Sequence, residues 1–198
     1  DEPLMANEPK AGKVSKTENA PFGYKKLTLS NDAVVYLKTT DFKADEIKMS
    51  AFSQGGVSLY DDKEAANLKV VDEVFSLGGL GNFKSTDLRK VLAGKKVSVS
   101  PSINSYTETL DGTSTPKDFE TMLQLTHLYF TDVRADQEAF LSWKTKSSAM
   151  LTNAATNPMK AFNDTLRKEL YPEMNRLKSL SMEDLDQVSY DRCLQIGK

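Results

Sequence analysis

Residues 27–60 read LTLSNDAVVYLKTTDFKADEIKMSAFSQGGVSLY, and this stretch sets the fold class. Leu27 and Leu29 alternate with polar neighbours, the period of a half-buried strand. Asn31-Asp32 supplies turn chemistry, because both side chains bond nearby backbone and tolerate a left-handed φ. Ala33-Val34-Val35-Tyr36-Leu37 follows as a β-rich run, so the spacing predicts a hairpin. A third strand is predicted over residues 46–53, where Ile47, Met49 and Ala51 alternate with Lys48 and Ser50. Gly55-Gly56 ends it.

C-terminal to this stretch the apolar period lengthens to that of a helix, over residues 61–77. Asp61 or Asp62 caps it, and Glu64 favours the first turn. Leu68, Val71 and Phe75 fall on one side, with Val70, Val74 and Leu77 on an adjacent side. Lys69, Asp72, Glu73 and Ser76 form the polar stripe. So wide an apolar arc predicts a helix packed on a sheet and on a second element. Gly78-Gly79-Leu80-Gly81 stops it. A short helix over residues 86–92 follows, with Ser85 as its cap. Strands are predicted over residues 97–100 and 106–110, and Pro101 between them belongs at a strand end or edge.

The remainder reads as helix. Thr115-Pro116 and Asn157-Pro158 are cap-proline starts, and Asp136 caps a third helix. On the first of these, Phe119, Met122, Thr126, Tyr129 and Phe130 are predicted to face inward. Ser181-Met182-Glu183-Asp184 resembles a capping box. N-terminal to the hairpin, residues 1–23 carry Pro3, Pro9 and Pro21 and few apolar side chains, which predicts a linker or disordered tail. They lack the apolar centre of a signal peptide. The class is α+β: a mixed, largely antiparallel sheet with helices packed on one face.

Composition narrows the chemistry. Of 198 residues, 26 are Lys or Arg and 28 Asp or Glu, a net charge of −2. No basic surplus or stripe marks a nucleic-acid footprint, and no apolar run is long enough to span a bilayer. One cysteine, Cys193, and one histidine, His127, exclude a disulfide framework and a multi-cysteine zinc site. His127 aligns with Leu123 and Phe130, which predicts an edge-of-core histidine. No G-x-S-x-G elbow is present. The glycines after residue 77 follow a helix rather than a strand, the wrong context for a dinucleotide loop. A carboxylate-pair enzyme has no discriminating signal among so many acids.

The residue order nevertheless resembles a known family. The stretch quoted above is similar to the opening of a domain of the insulinase/pitrilysin-type zinc metallopeptidases, where a hairpin leads to a third strand, a glycine loop and a long helix. Residues 87–140, DLRKVLAGKKVSVSPSINSYTETLDGTSTPKDFETMLQLTHLYFTDVRADQEAF, resemble the family's next stretch, and SMEDLDQVSYDRC (residues 181–193) a late segment. The resemblance covers about residues 24–193. It is nearest to the non-catalytic domains in the C-terminal half of large bacterial members.

In catalytic domains of that family an H-x-x-E-H motif lies on the first long helix. Two histidines bind zinc and the glutamate is the general base for the metal-bound water. Here Val70-Val71-Asp72-Glu73-Val74 stands at that place. Glu73 matches the glutamate, while Val70 and Val74 stand where the ligands would be, and valine offers no lone pair. The resemblance thus implies no catalytic or metal-binding residue in this chain. It implies a non-catalytic domain in the wall of a clamshell chamber enclosing unfolded peptide. Zinc is expected in a catalytic domain of the same or a neighbouring chain, in an exported or periplasmic protein. A degenerate scaffold module without a proteolytic partner is the alternative. Peptide pairing is expected at a strand edge, over residues 98–100 or 106–110. The family's domain continues with a further helix and strand, so residues 24–198 are expected to form an incomplete domain, with Leu194 and Ile196 exposed or used in a contact.

Overall fold

The computed structural model describes residues 3–5 and 7–198. It comprises two compact units, one of residues 5–46 and one of residues 3–4 with 47–198.

The smaller unit is a three-stranded antiparallel sheet in the order β1 (Val14–Ala20), β2 (Tyr24–Leu29), β3 (Val34–Leu37). The hairpin predicted from Leu27 to Leu37 is present, with Leu27 opposite Val35. Asp32 takes a φ of 65° in its turn, and the Ala33 amide donates to Asn31 Oδ1 at 3.3 Å. Residues 14–20 depart from the predicted tail. Lys16, Glu18 and Ala20 find partners on β2 at Thr28, Lys26 and Tyr24, so the sheet's ladder, not apolar burial, orders the segment.

The larger unit carries the third predicted strand, β4 (Ile47–Gln54). It pairs not with β3 but with β8 (Thr107–Ser114), which also pairs with β7 (Val97–Ile103), in the order β4–β8–β7. The expected mixed sheet is thus realised as small antiparallel sheets, and the α+β class stands. Ile47, Met49 and Ala51 lie opposite Ser114, Gly112 and Leu110, and Val97, Val99 and Pro101 opposite the same three. That face receives α4 (Phe119–Thr131), which touches both β7 and β8. The other face bears Lys48, Ser50, Phe52, Thr109, Asp111, Thr113, Ser98, Ser100 and Ser102 and is polar.

Between β4 and β7 the predicted long helix is broken. A single turn over Asp62–Glu64, with Asp61 accepting the Lys63 amide, leads to α1 (Ala65–Leu68) and then α2 (Val71–Phe75). Val70, at φ −129° and ψ 0°, is the break. Adjacent β-branched Val70 and Val71 are poor helix formers, and both are buried, so packing overrides the regular period. The predicted second packing partner is real: α2 contacts β7 and α8 (Tyr190–Ile196). The following glycines do more than stop a helix. Gly79–Leu80 and Phe83–Lys84 form a two-stranded hairpin, β5 and β6, and α3 (Ser85–Val91) starts directly after it. Ser85 is the first residue of α3 rather than its cap.

The helix-opening signals hold. Thr115 accepts the Asp118 amide ahead of α4, and Asp136 accepts the Ala139 amide at the start of α5 (Gln137–Ala154). Asn157 caps α6 (Pro158–Leu170), and Ser181 and Asp184 form a reciprocal capping box on α7 (Met182–Gln187). The inward face of α4 is rotated from the expected one. Thr121, Met122, Leu125 and Leu128 are buried, while Phe119 and Phe130 are exposed. The contact of α4 with β7 and β8 selects that narrower stripe. Leu194 and Ile196 also depart from expectation: both are buried, because α8 closes onto α1 and α2.

Candidate functional site

The place where the resemblance puts a metal site is a junction of α1, α2, α7 and α8. Val70 and Val74 are 5 % and 0 % exposed, their side chains in the core, while Glu73 is exposed. Among the described residues no three His, Cys, Asp or Glu side chains gather as a metal-holding group. His127 is half-buried on α4, at the edge of the core.

Polar side chains around the break fasten it instead. Lys69 Nζ pairs with Asp184 Oδ2 at 2.8 Å, and both side chains are largely shielded. Asp184 also accepts the amide and hydroxyl of Ser181, at 2.9 and 2.8 Å. Burial pushes the Asp184 carboxyl up, but the hydrogen bonds from Lys69 and Ser181 outweigh it and hold the group below the usual carboxylate range. Buried Asn67 accepts the Ser189 amide at 2.9 Å and donates to Glu64 Oε2 at 3.0 Å, and Glu64 pairs with Arg192 at 3.0 Å. Arg176 donates to the carbonyls of Val57 and Tyr60 and to Asp62, which in turn accepts the amides of Asn175 and Arg176. In the sequence Asp62 and Glu64 read as part of a helix start, Lys69 as part of a polar stripe and Asp184 as part of a capping box. The long-range partners, Asp184 for Lys69, Ser189 for Asn67, Arg192 for Glu64 and Arg176 for Asp62, lie more than a hundred positions away, and no local signal announces them.

Cys193 sits in the same junction, fully buried, with Sγ 3.8 Å from Asn67 Oδ1. Burial and the nearby Glu64 charge push its thiol up to about 12. The thiolate is the reactive form. The native chain is therefore expected to resist iodoacetamide at pH 8 and to be alkylated once unfolded in urea. Rapid labelling of folded protein, followed by mass spectrometry, would contradict the placement.

Asp72, on the exposed side of α2, reaches the last residues of β7. Its Oδ1 accepts the Ile103 amide at 2.6 Å and its Oδ2 the Ser102 hydroxyl at 3.1 Å. Beside it opens a cavity of about 300 Å³. Ala51, Ser53, Ile103 and Leu110 line it from the sheet, and Phe75, Tyr129, Phe130 and Ile196 from the helices. Burial raises the Tyr129 hydroxyl above its usual range, partly offset by its hydrogen bond with Ser76. Glu108, also in the lining, accepts the Ser53 hydroxyl at 2.7 Å and the Gly56 amide at 3.3 Å. Of the two expected edge segments, residues 98–100 do lie on an edge strand. Residues 107–110 belong to β8, which is central, because it pairs on both sides.

The sequence matches no family model and no curated protein. Solved structures do match the fold. The periplasmic protease PqqL from Escherichia coli superposes with a TM-score of 0.80 at 19 % identity, over 100 % of this chain and 22 % of that one. The ferredoxin protease FusC, as a mutant in complex with Arabidopsis ferredoxin, gives 0.76 at 15 % identity, again over 100 % and 22 %. A protease from Helicobacter pylori gives 0.67 at 11 % identity, over 93 % of this chain and 43 % of that one. The chain thus has the fold of part of these longer proteases, and spans about a fifth of the length of the first two. No helix among the described residues is long and apolar enough to cross a membrane.

Proposed function

We propose that this chain is a non-catalytic domain of an insulinase/pitrilysin-type zinc metallopeptidase, contributing wall surface to a chamber that encloses unfolded peptides. The observation that carries the reading is the burial of Val70 and Val74 at the expected ligand positions, with Glu73 left on the surface. A glutamate with no metal-bound water beside it lacks the proton to abstract. Two further features support the wall role. The β4–β8–β7 sheet is covered by α4 on one face and bears serine, threonine and charged side chains on the other. Helix α6 exposes Met159, Phe162, Leu166 and Leu170, an apolar face suited to contact with other parts of a longer protein. The catalytic partner would be a zinc-binding domain in the same or a neighbouring chain. The likeness to a periplasmic protease supports an exported location.

Isothermal titration with zinc is expected to give no tight stoichiometric site, and a peptide library is expected to remain intact with or without the metal. Chelator-sensitive turnover by the purified chain, abolished by Glu73→Gln, would overturn the reading.

A further inference from the structure

The turn that joins β1 to β2 carries a residue that its backbone disfavours. Phe22 and Gly23 are the central residues of a turn over residues 21–24, closed by the Tyr24 amide donating to the Pro21 carbonyl. Their φ angles are 61° and 78°. Two successive positive φ values are the requirement of a type I′ hairpin turn, where asparagine, aspartate or glycine is favoured at the first central position. A phenylalanine there brings its Cβ too close to the backbone and is strained. Packing does not offset the strain, because Phe22 is 87 % exposed. The turn is nevertheless held. Lys38 Nζ donates to the Phe22 carbonyl and lies 5.2 Å from the centre of the Tyr24 ring. Tyr24 in turn meets Tyr36 edge to face, with ring centres 6.5 Å apart. A strained, braced and solvent-facing ring breaks the local turn rule with no gain inside the fold, and such breaches gather where a molecule meets something else.

The chemistry behind the ring indicates what it meets. β3 ends beside the turn, since Leu37 lies opposite Lys25 and Tyr36 opposite Lys26. Lys25, Lys26 and Lys38 therefore gather at this end of the sheet. From residue 19 to residue 40 the one carboxylate is Asp32, in the turn at the opposite end. Glu18, opposite Lys26, is paired with Lys16 at 2.8 Å. Tyr24 and Tyr36 are both exposed. An apolar ring at the apex, tyrosines behind it and a collar of lysines match the layers of an anionic bilayer. The ring enters the acyl boundary, the phenols sit among the headgroups, and the ammonium groups face the phosphates. A single projecting ring suits a fluid surface, which needs no complementary shape, and surface association needs no spanning helix. We propose that the β1–β2 turn is a peripheral membrane anchor that inserts Phe22 into a bilayer rich in anionic phospholipid.

The test is co-sedimentation of the full chain with vesicles of phosphatidylglycerol and phosphatidylcholine, or of phosphatidylcholine alone. Affinity for the anionic vesicles is expected to be about tenfold higher or more, and to fall as salt is raised. Phe22→Asn puts a favoured residue in the turn, so the melting temperature is expected to hold or rise while vesicle affinity falls about tenfold. Lys25→Gln combined with Lys26→Gln is expected to weaken binding to the anionic vesicles by about tenfold as well. Phe22→Trp adds an indole at the tip, and its emission is expected to shift to the blue on anionic vesicles. The wild type, whose one tryptophan is the buried Trp143, should show no such shift. Absence of binding to the anionic vesicles, equal binding to phosphatidylcholine alone, or wild-type affinity in Phe22→Asn would overturn the proposal. So would an unshifted Phe22→Trp spectrum in vesicle-bound protein, which would make another surface the point of contact. None of these outcomes changes the zinc titration, so the two readings fail separately.

Discussion

Lys69→Met is expected to lower the unfolding free energy by about 3 kcal/mol at neutral pH, because it leaves a shielded carboxylate without its cation. The Lys69 and Asp184 side chains are 8 % and 19 % exposed and 2.8 Å apart. They join the broken end of α1 to the start of α7. Breaking one partner is costly where removing both is not, so Lys69→Met with Asp184→Leu should recover much of the loss, less about 1 kcal/mol for the capping box. The folded-state carboxyl of Asp184 lies below its ordinary value. Its stabilising contribution is therefore complete above the unfolded value of about 3.9 and fades as pH falls through the lower folded value. Urea titrations at pH 7 and pH 2.5 should show the gap between wild type and Lys69→Met closing in acid. A variant as stable as wild type at pH 7 would mean that the helix break is held by apolar packing alone.

Gly79→Ala is expected to destabilise the chain by about 4 kcal/mol or more, a large part of the ~5–15 kcal/mol typical of a domain. Gly79 has a φ of +98°, and a Cβ built there would stand 2.2 Å from the Phe83 carbonyl oxygen and 2.6 Å from the Ser85 amide nitrogen. Both obstacles are backbone, so neither can swing aside. Gly94 supplies the comparison. Its φ is +80°, yet nothing lies within 4 Å of a built Cβ. Gly94→Ala should therefore cost only the backbone strain, about 1 kcal/mol. Thermal melts of the two variants separate the terms, and equal melting temperatures would refute the close approach at β5 and β6.

Local chemistry made much of this fold readable. Thr115, Asp136, Asn157 and Ser181 each bond an amide two or three residues ahead, so the partner lies within the same short window of sequence. The hairpin through Asn31-Asp32 is equally local. Sheet order was not readable from adjacency, because β4 pairs with a strand more than fifty residues later, and nothing short-range distinguishes β8 from β3 as its neighbour. The helix break at Val70 and the inward rotation of α4 escaped periodicity for a related reason. Each is set by what packs against the element rather than by the element's own pattern.

The candidate site divides the same way. The residue types at positions 70 and 74 determine, without any coordinates, that no imidazole is present there to hold a metal. What the Asp72 carboxylate touches is a tertiary outcome. Asp72 reads as one more solvent-facing acid in a helical stripe, and only the docking of α2 on β7 brings its carboxylate to the Ile103 amide. The burial of Leu194 and Ile196 is tertiary too, since it requires the surface of α1 and α2 that α8 covers. Side-chain chemistry is a property of the residue, whereas access to an amide or a core surface belongs to the pair of elements that meet there.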